Sequence, residues 1–248
     1  MIEPDVVAEG KRLVAESAVR GVPLRLLGGV AISLRSVSEL APAFRRSYGD
    51  LDFMTTKKGA RGTAELFRAE GYVAQTAFNA LHGGDRLLFF DDDHDRQVDV
   101  FVGVFSMCHK IPLDDRLELD PTSIPLAELL LTKLQVIELN EKDIRDTLAL
   151  LHDHPVGDTD GESLNGARVA ELCAADWGLW RTITQNLRAC RGFADSYDVP
   201  DRALLDERLD ALLARIEDEP KPRSWRLRAK IGDRKRWFEL PEEVAGGP

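Results

Sequence analysis

Cysteine is scarce: three of the 248 residues, Cys108, Cys173 and Cys190, with no C-x-x-C. Neither a disulfide framework nor a structural zinc site is indicated, and a reducing cytoplasm fits. No stretch approaches the ~18 apolar residues that a membrane span needs. The opening "MIEPDVVAEGKRLV" lacks a basic region followed by an apolar core, so the expectation is a soluble, unexported, cytoplasmic chain with no membrane partner. G-x-S-x-G, Walker and Rossmann patterns are missing, as are internal repeats and low-complexity tracts. What is present is ordinary for a globular protein: 44% hydrophobic and 31% charged residues, in a chain long enough for one large domain or two modest ones.

The net charge of −10 is unevenly spread. Residues 221–237 carry eight basic side chains against Asp233 alone, a local +7 that leaves −17 on the rest. Basic residues interleaved with Trp225 and Trp237 suit a phosphate backbone with stacked bases. The alternative is a solvated amphipathic helix whose arginines pair with the acidic body.

The pattern changes near residue 120. Before it, β-prone runs at 23–28, 51–56, 72–76, 86–90 and 97–105 are interspersed with helical patterns at 4–21 and 60–71. After Pro125 the spacing predicts helices over 125–140, 141–154, 166–190 with a break at Gly178, and 202–218, separated by polar loops at 152–163 and 217–224. The expected fold is α+β: a mixed-sheet domain over 1–120, then a helical domain over 121–248 that ends in the basic segment.

"YGDLDFMT" (48–55) sets Asp50 and Asp52 on one face of a strand, since residues i and i+2 share a side. Two carboxylates so placed either sit at a solvated strand mouth or are held together by a cation. "QVDVFVGVF" (97–105) adds Asp99 within an apolar run, where a lone buried carboxylate would cost several kcal/mol. Brought beside the other two, it makes an all-oxygen cluster suited to Mg2+ or Mn2+ rather than zinc. Upstream, "LLGGVAISLR" (26–35) turns from strand to helix at Gly28-Gly29, which serves either as a plain turn or as a cradle of backbone N–H groups for phosphate.

Gly-Gly, then D-x-D, then a third strand aspartate resembles the nucleotidyltransferases of the DNA polymerase β type. Within them it is most similar to the small prokaryotic branch of abortive-infection toxins and antibiotic nucleotidyltransferases. "LLLTKLQVIELNEKDIRDTLALL" (129–151), a helix lysine followed by K-D-x-x-D, resembles that branch's helical motif. The likeness covers about residues 23–151. It implies that Asp50, Asp52 and Asp99 are the catalytic, metal-holding residues, and that Gly28, Gly29, Ser33 and Lys133 bind the nucleoside triphosphate. Asp143 and Asp146, three apart on one helix face, would orient Lys133 or the acceptor, or simply favour a helix start. Lys133 itself is otherwise a helix-surface lysine. Two departures stand out: Val30 occupies the place of a hydroxyl residue that touches phosphate, and residues 35–49 form an inserted loop. In that loop Arg45 and Arg46 would meet the triphosphate or solvent.

Other clusters are weaker. "DDDHD" (91–95) reads as a solvated hairpin turn, Cys108 and His109 would point to opposite faces of a strand, and His152 and His154 lack zinc-ligand spacing. Two functions are therefore carried forward. One is a Mg2+-dependent enzyme moving a nucleoside monophosphate to an acceptor hydroxyl, on a small molecule or a tRNA end, with release of pyrophosphate. The other is an inactive nucleotidyltransferase-like binding module acting through partners.

Overall fold

A computed structural model describes residues 2–37 and 41–240. Helix α1 (Val6–Val19) starts where the Asp5 carboxylate accepts from the Ala8 N–H at 2.7 Å. It is followed by β1 (Leu24–Leu27), α2 (Gly28–Arg35), β2 (Leu51–Thr55), α3 (Ala60–Ala69), β3 (Val73–Ala74) and α4 (Thr76–His82). Strands β4 (Arg86–Asp91) and β5 (Arg96–Val102) form a hairpin. A smaller ribbon, β6 (Val104–Ser106) with β7 (Lys110–Pro112), comes next. The chain is then mostly helical: α5 (Leu126–Leu134), α6 (Glu141–Asp153), α7 (Gly166–Ala175), α8 (Trp177–Ala194), α9 (Arg202–Asp218) and α10 (Arg223–Ile231). The short parallel pair β8 (Val156–Gly157) and β9 (Leu164–Asn165) lies between α6 and α7.

The fold is α+β around a five-stranded mixed sheet in the order β1-β2-β5-β4-β3. Only β2 and β5 run parallel; the other pairs are antiparallel. Residues 122–124 cover the free edge of β1, with Leu26 N–H donating to Thr122 O and Ile124 N–H to Leu26 O, each at 2.9 Å. One apolar cluster runs from Leu24, Phe53 and Val100 in the sheet through Leu129, Leu130 and Leu131 of α5 to Leu209 and Ile216 of α9. Burying each such side chain stabilises by roughly 1.5–3 kcal/mol. Helix α5 is buried nearly all round. A helix in that position leaves its one lysine few directions to go.

Several element expectations are corrected. The run 72–76 yields strand only at β3, and α4 begins at Thr76 because the Asn79 amide brackets Leu88 of β4, donating to its O at 3.0 Å and accepting from its N–H at 2.7 Å. The strand 97–105 breaks at Gly103, whose φ of +71° turns the chain out of the sheet. Helix 125–140 stops at Leu134, where the Asn186 side chain caps the carbonyls of Leu134 and Val136. The break in 166–190 falls at Asp176, not Gly178, since the Asp176 carboxylate caps α8 through the Gly178 N–H at 2.6 Å. The loop expected over 217–224 already contains the start of α10. The inserted loop 35–49 takes in residues 38–40, outside the described set.

At the β1–α2 turn Gly28 has φ +71°, and a Cβ there would overlap the Asp52 carboxylate, while one on Gly29 would overlap the Arg46 guanidinium. Gly28→Ala is expected to destabilise by about 1–3 kcal/mol through the strained φ alone. Equilibrium urea unfolding measures this, and an unchanged midpoint would contradict it.

Candidate functional site

Parallel pairing of β2 with β5 sets Asp52 directly opposite Asp99. Neighbouring strands lie about 4.8 Å apart, so the two carboxylates stand side by side on one face. Asp50 precedes β2 on the same side and is exposed, whereas Asp99 is buried. Burial, reinforced by the Asp99 charge, pushes the Asp52 carboxyl up to about 7. Burial and Asp99 also raise Asp50. Asp99 is compensated: Arg86 Nε donates to its Oδ1 at 2.7 Å and Gln97 Nε2 to its Oδ2 at 2.6 Å.

A second charge knot faces this one. Lys133 Nζ lies 2.9 Å from Asp146 and 3.4 Å from Asp143. Arg46 grips Asp146 with two parallel bonds, Nε to Oδ1 at 2.8 Å and NH2 to Oδ2 at 2.7 Å, and its guanidinium lies over the Tyr48 ring at 4.6 Å. Despite its burial, Asp146 is held below the usual carboxylate range by Arg46 and Lys133. Burial works against the Lys133 charge, but Asp146 and then Asp143 raise its pKa. Asp143 is raised by burial, with Lys133 opposing.

Between the two knots lies a cleft of about 170 Å³, lined by Gly29, Val30, Arg46, Asp50, Asp52, Lys133 and their neighbours. Gly28 abuts Asp52 beside it. The structure thus gathers Asp50, Asp52, Asp99, Gly28, Gly29, Lys133, Asp143 and Asp146 into one region. Ser33 is not brought there: it is half-buried further along α2, and the cleft wall after the glycines is Val30. Lys133 is a half-buried, doubly paired cation rather than a surface lysine, and Arg46 is an internal partner of Asp146 rather than a solvated side chain.

Arg86 and Gln97 were not anticipated. The signal was in the hairpin: a turn at 92–95 pairs Asp91 with Arg96, hence Leu88 with Asp99, and leaves Arg86 diagonal to Asp99 on the same face. Lys142, Asn140 and Tyr48 also line the cleft.

As the side chains stand, no group of three or more His, Cys, Asp or Glu among the described residues forms a ready metal cage. The donor chemistry of Asp50 and Asp52 nonetheless fits a hard cation: adjacent carboxylates, raised toward protonation, with no hydrogen-bond donor among the described residues. Asp99 fits less well, being already bound. The weaker clusters behave structurally. Asp91 of the acidic turn is buried against His94 at 2.8 Å, in contrast to the solvated turn expected, while Asp92, Asp93 and Asp95 are exposed. His109 contacts Thr182 at 2.9 Å and His154 contacts Glu162 O at 3.1 Å.

The basic segment docks through its tryptophans. Trp225 Nε1 donates to Cys173 O at 3.0 Å and Trp237 Nε1 to Thr182 Oγ1 at 3.1 Å, with their rings against Trp180 and Trp177. Arg228 stacks 4.3 Å from the Trp177 ring and donates to Gly232 O and Lys235 O. Among the described residues Arg223, Arg226, Lys230, Arg234 and Lys235 make no ion pair, so the arginines are not neutralised by the acidic body as one expectation held. The two indole rings are half-buried, each engaged on one side by a tryptophan of α8. No helix among the described residues is long and apolar enough to cross a membrane.

No protein-family model matches the chain, and no curated protein matches it either.

Two measurements check this site. A raised Asp52 pKa means that the folded state holds the proton more tightly than the unfolded chain. Its contribution is therefore present below about pH 4 and lost as pH rises through about 7. Asp52→Asn should raise the melting temperature at pH 8 by roughly 2–4 °C, the shift that about 1 kcal/mol produces at this size, and do little at pH 4. In the tail, Arg228→Ala should cost about 1–2 kcal/mol from its half-buried ring contact and lost carbonyl partners, while Arg226→Ala stays within roughly 0.5 kcal/mol. Equal effects in thermal unfolding would contradict the inward role of Arg228.

Proposed function

We propose that this chain is a nucleotidyltransferase of the DNA polymerase β type, transferring a nucleoside monophosphate from a nucleoside triphosphate to an acceptor hydroxyl with release of pyrophosphate. The observation that carries the reading is the register of Asp52 against Asp99 on parallel strands, with the Gly28-Gly29 helix start pressed against Asp52. Few other tasks call for uncompensated carboxylates beside a backbone N–H cradle and a flanking row of cations.

In this reading Asp50 and Asp52 hold Mg2+ or Mn2+, which when bound neutralises phosphate charge and activates the attacking hydroxyl. The N–H groups at the start of α2 face the phosphates, with Lys133 and Lys142 adding positive charge to the cleft wall. Asp143 and Asp146 keep the Lys133 ammonium charged and aimed. Asp99, held in one orientation by Arg86 and Gln97, accepts the proton of the incoming hydroxyl.

The branch of small prokaryotic nucleotidyltransferases remains the best fit, in a cytoplasmic setting. For the acceptor, a small cationic molecule stands ahead of a tRNA end. The body is acidic, and the tail's two indoles are already engaged with Trp177 and Trp180.

A second reading has one specific observation behind it. Asp99 is neutralised by Arg86 without any metal, so its retention costs little in a domain that binds nucleotide and does no chemistry. Labelled nucleoside triphosphates with Mg2+ and either aminoglycosides or total RNA separate the two. The enzyme releases pyrophosphate, Asp50→Ala lowers the rate at least 100-fold, and the triphosphate at 100 times its dissociation constant stabilises the fold by about 2.7 kcal/mol. Stabilisation without pyrophosphate from any acceptor would favour the binding module. RNA as acceptor would show a binding slope of about −0.7 to −0.9 per phosphate contact in log K against log salt, weakened by Arg226→Glu.

A further inference from the structure

Both oxygens of Asp99 are taken. Oδ1 accepts from Arg86, 2.7 Å from Nε and 2.6 Å from NH2, and Oδ2 accepts from Gln97 at 2.6 Å. The Arg86 guanidinium is itself flanked by rings, 5.1 Å from that of Phe101 and 5.8 Å from that of Phe78, with its side chain 16% exposed and lining a separate small cavity. Asp50 and Asp52, one strand away, are the opposite case. Among the described residues neither accepts a hydrogen bond, and neither has an ion-pair partner within contact distance. The three carboxylates are thus one neutralised and two open.

A guanidinium cannot shed its proton, and here two of its N–H groups converge on Oδ1, a contact that an arriving hydrated ion must displace. A second divalent ion at Asp99 would have to break a largely buried, charge-assisted contact. It would then sit beside the released guanidinium, two cations sharing a site built around one anion. We infer that Arg86 takes the place of a second cation: the site accepts one divalent ion, on Asp50 and Asp52, and Arg86 supplies the positive charge on the Asp99 side. The inference rests on the nucleotidyltransferase reading and specifies its metal stoichiometry. Arg86 acts as a positioning residue, fixing where the Asp99 carboxylate points.

The test is a count. Mn2+ is titrated into the full chain at saturating non-hydrolysable nucleoside triphosphate, and protein-bound ions are obtained from the electron paramagnetic resonance signal of the free ion after subtracting the uptake of the free triphosphate, measured in a titration without protein. The wild type is expected to bind one Mn2+ per chain, Arg86→Met two, and Arg86→Lys one. A merely structural arginine would change the melting temperature and leave the count alone. If Arg86→Met does not fold, Arg86→Gln keeps a hydrogen bond to Asp99 without the charge and is likewise expected to bind two. Two ions in the wild type, or one in the folded neutral variants, overturns the inference and leaves the nucleotidyltransferase reading standing. No Mn2+ in any variant overturns that reading, and the inference with it.

Discussion

The repulsion between two carboxylates, Asp52 and Asp99, forced into register on adjacent parallel strands, organises everything around it. In an otherwise apolar sheet such a pair is costly, because low dielectric strengthens repulsion and burial penalises each charge. The structure relieves it asymmetrically. Arg86 neutralises Asp99 from β4 and Gln97, two residues before it on β5, donates to its other oxygen, whereas Asp52 is left open and driven toward protonation. An open carboxylate beside a cleft is a poor stabiliser of the fold and a good acceptor for a cation, so stability and function pull in opposite directions at this residue.

The facing knot of Lys133, Arg46, Asp143 and Asp146 solves the same problem with the charges in balance. Two cations and two anions satisfy one another where α5, α6 and the segment before β2 meet, and the knot ties the helical half to the sheet. Removing one partner from such a network typically costs about 3–5 kcal/mol, since the remaining charges stay buried. The Gly28-Gly29 turn belongs to both systems: its missing side chains make room for the Asp52 carboxylate on one side and the Arg46 guanidinium on the other. The pair is thus required sterically, whether or not its N–H groups ever meet a phosphate.

The tail shows how aromatic packing overrides a charge pattern. Its tryptophans pack half-buried against α8 and take their own hydrogen-bond partners, while several of the cations between them make no ion pair among the described residues. Interleaved Trp and Arg in sequence look alike whether the rings face in or out. The contacts of Trp225 with Trp180 and of Trp237 with Trp177 distinguish them here.

Much was legible locally. The D-x-D pair at the head of β2, the glycine turn into α2 and the hairpin closing at residues 92–95 all follow from short-range rules of alternation, φ preference and turn chemistry. So does the α6 start, where the Asn140 side chain accepts from the Asp143 N–H. What only the tertiary structure decided involves contacts between segments far apart in the chain. These include the choice of β5 as parallel neighbour of β2, the helix at α4 held by Asn79 against β4, the end of α5 set by Asn186, and the inward turn of Lys133 onto Asp146. Alternation assigns a residue to a face of its own strand but is silent on which strand lies alongside. That pairing is won by burying apolar surface from the whole chain, and it alone determines that Asp52 stands against Asp99 and that Arg86 reaches the same carboxylate.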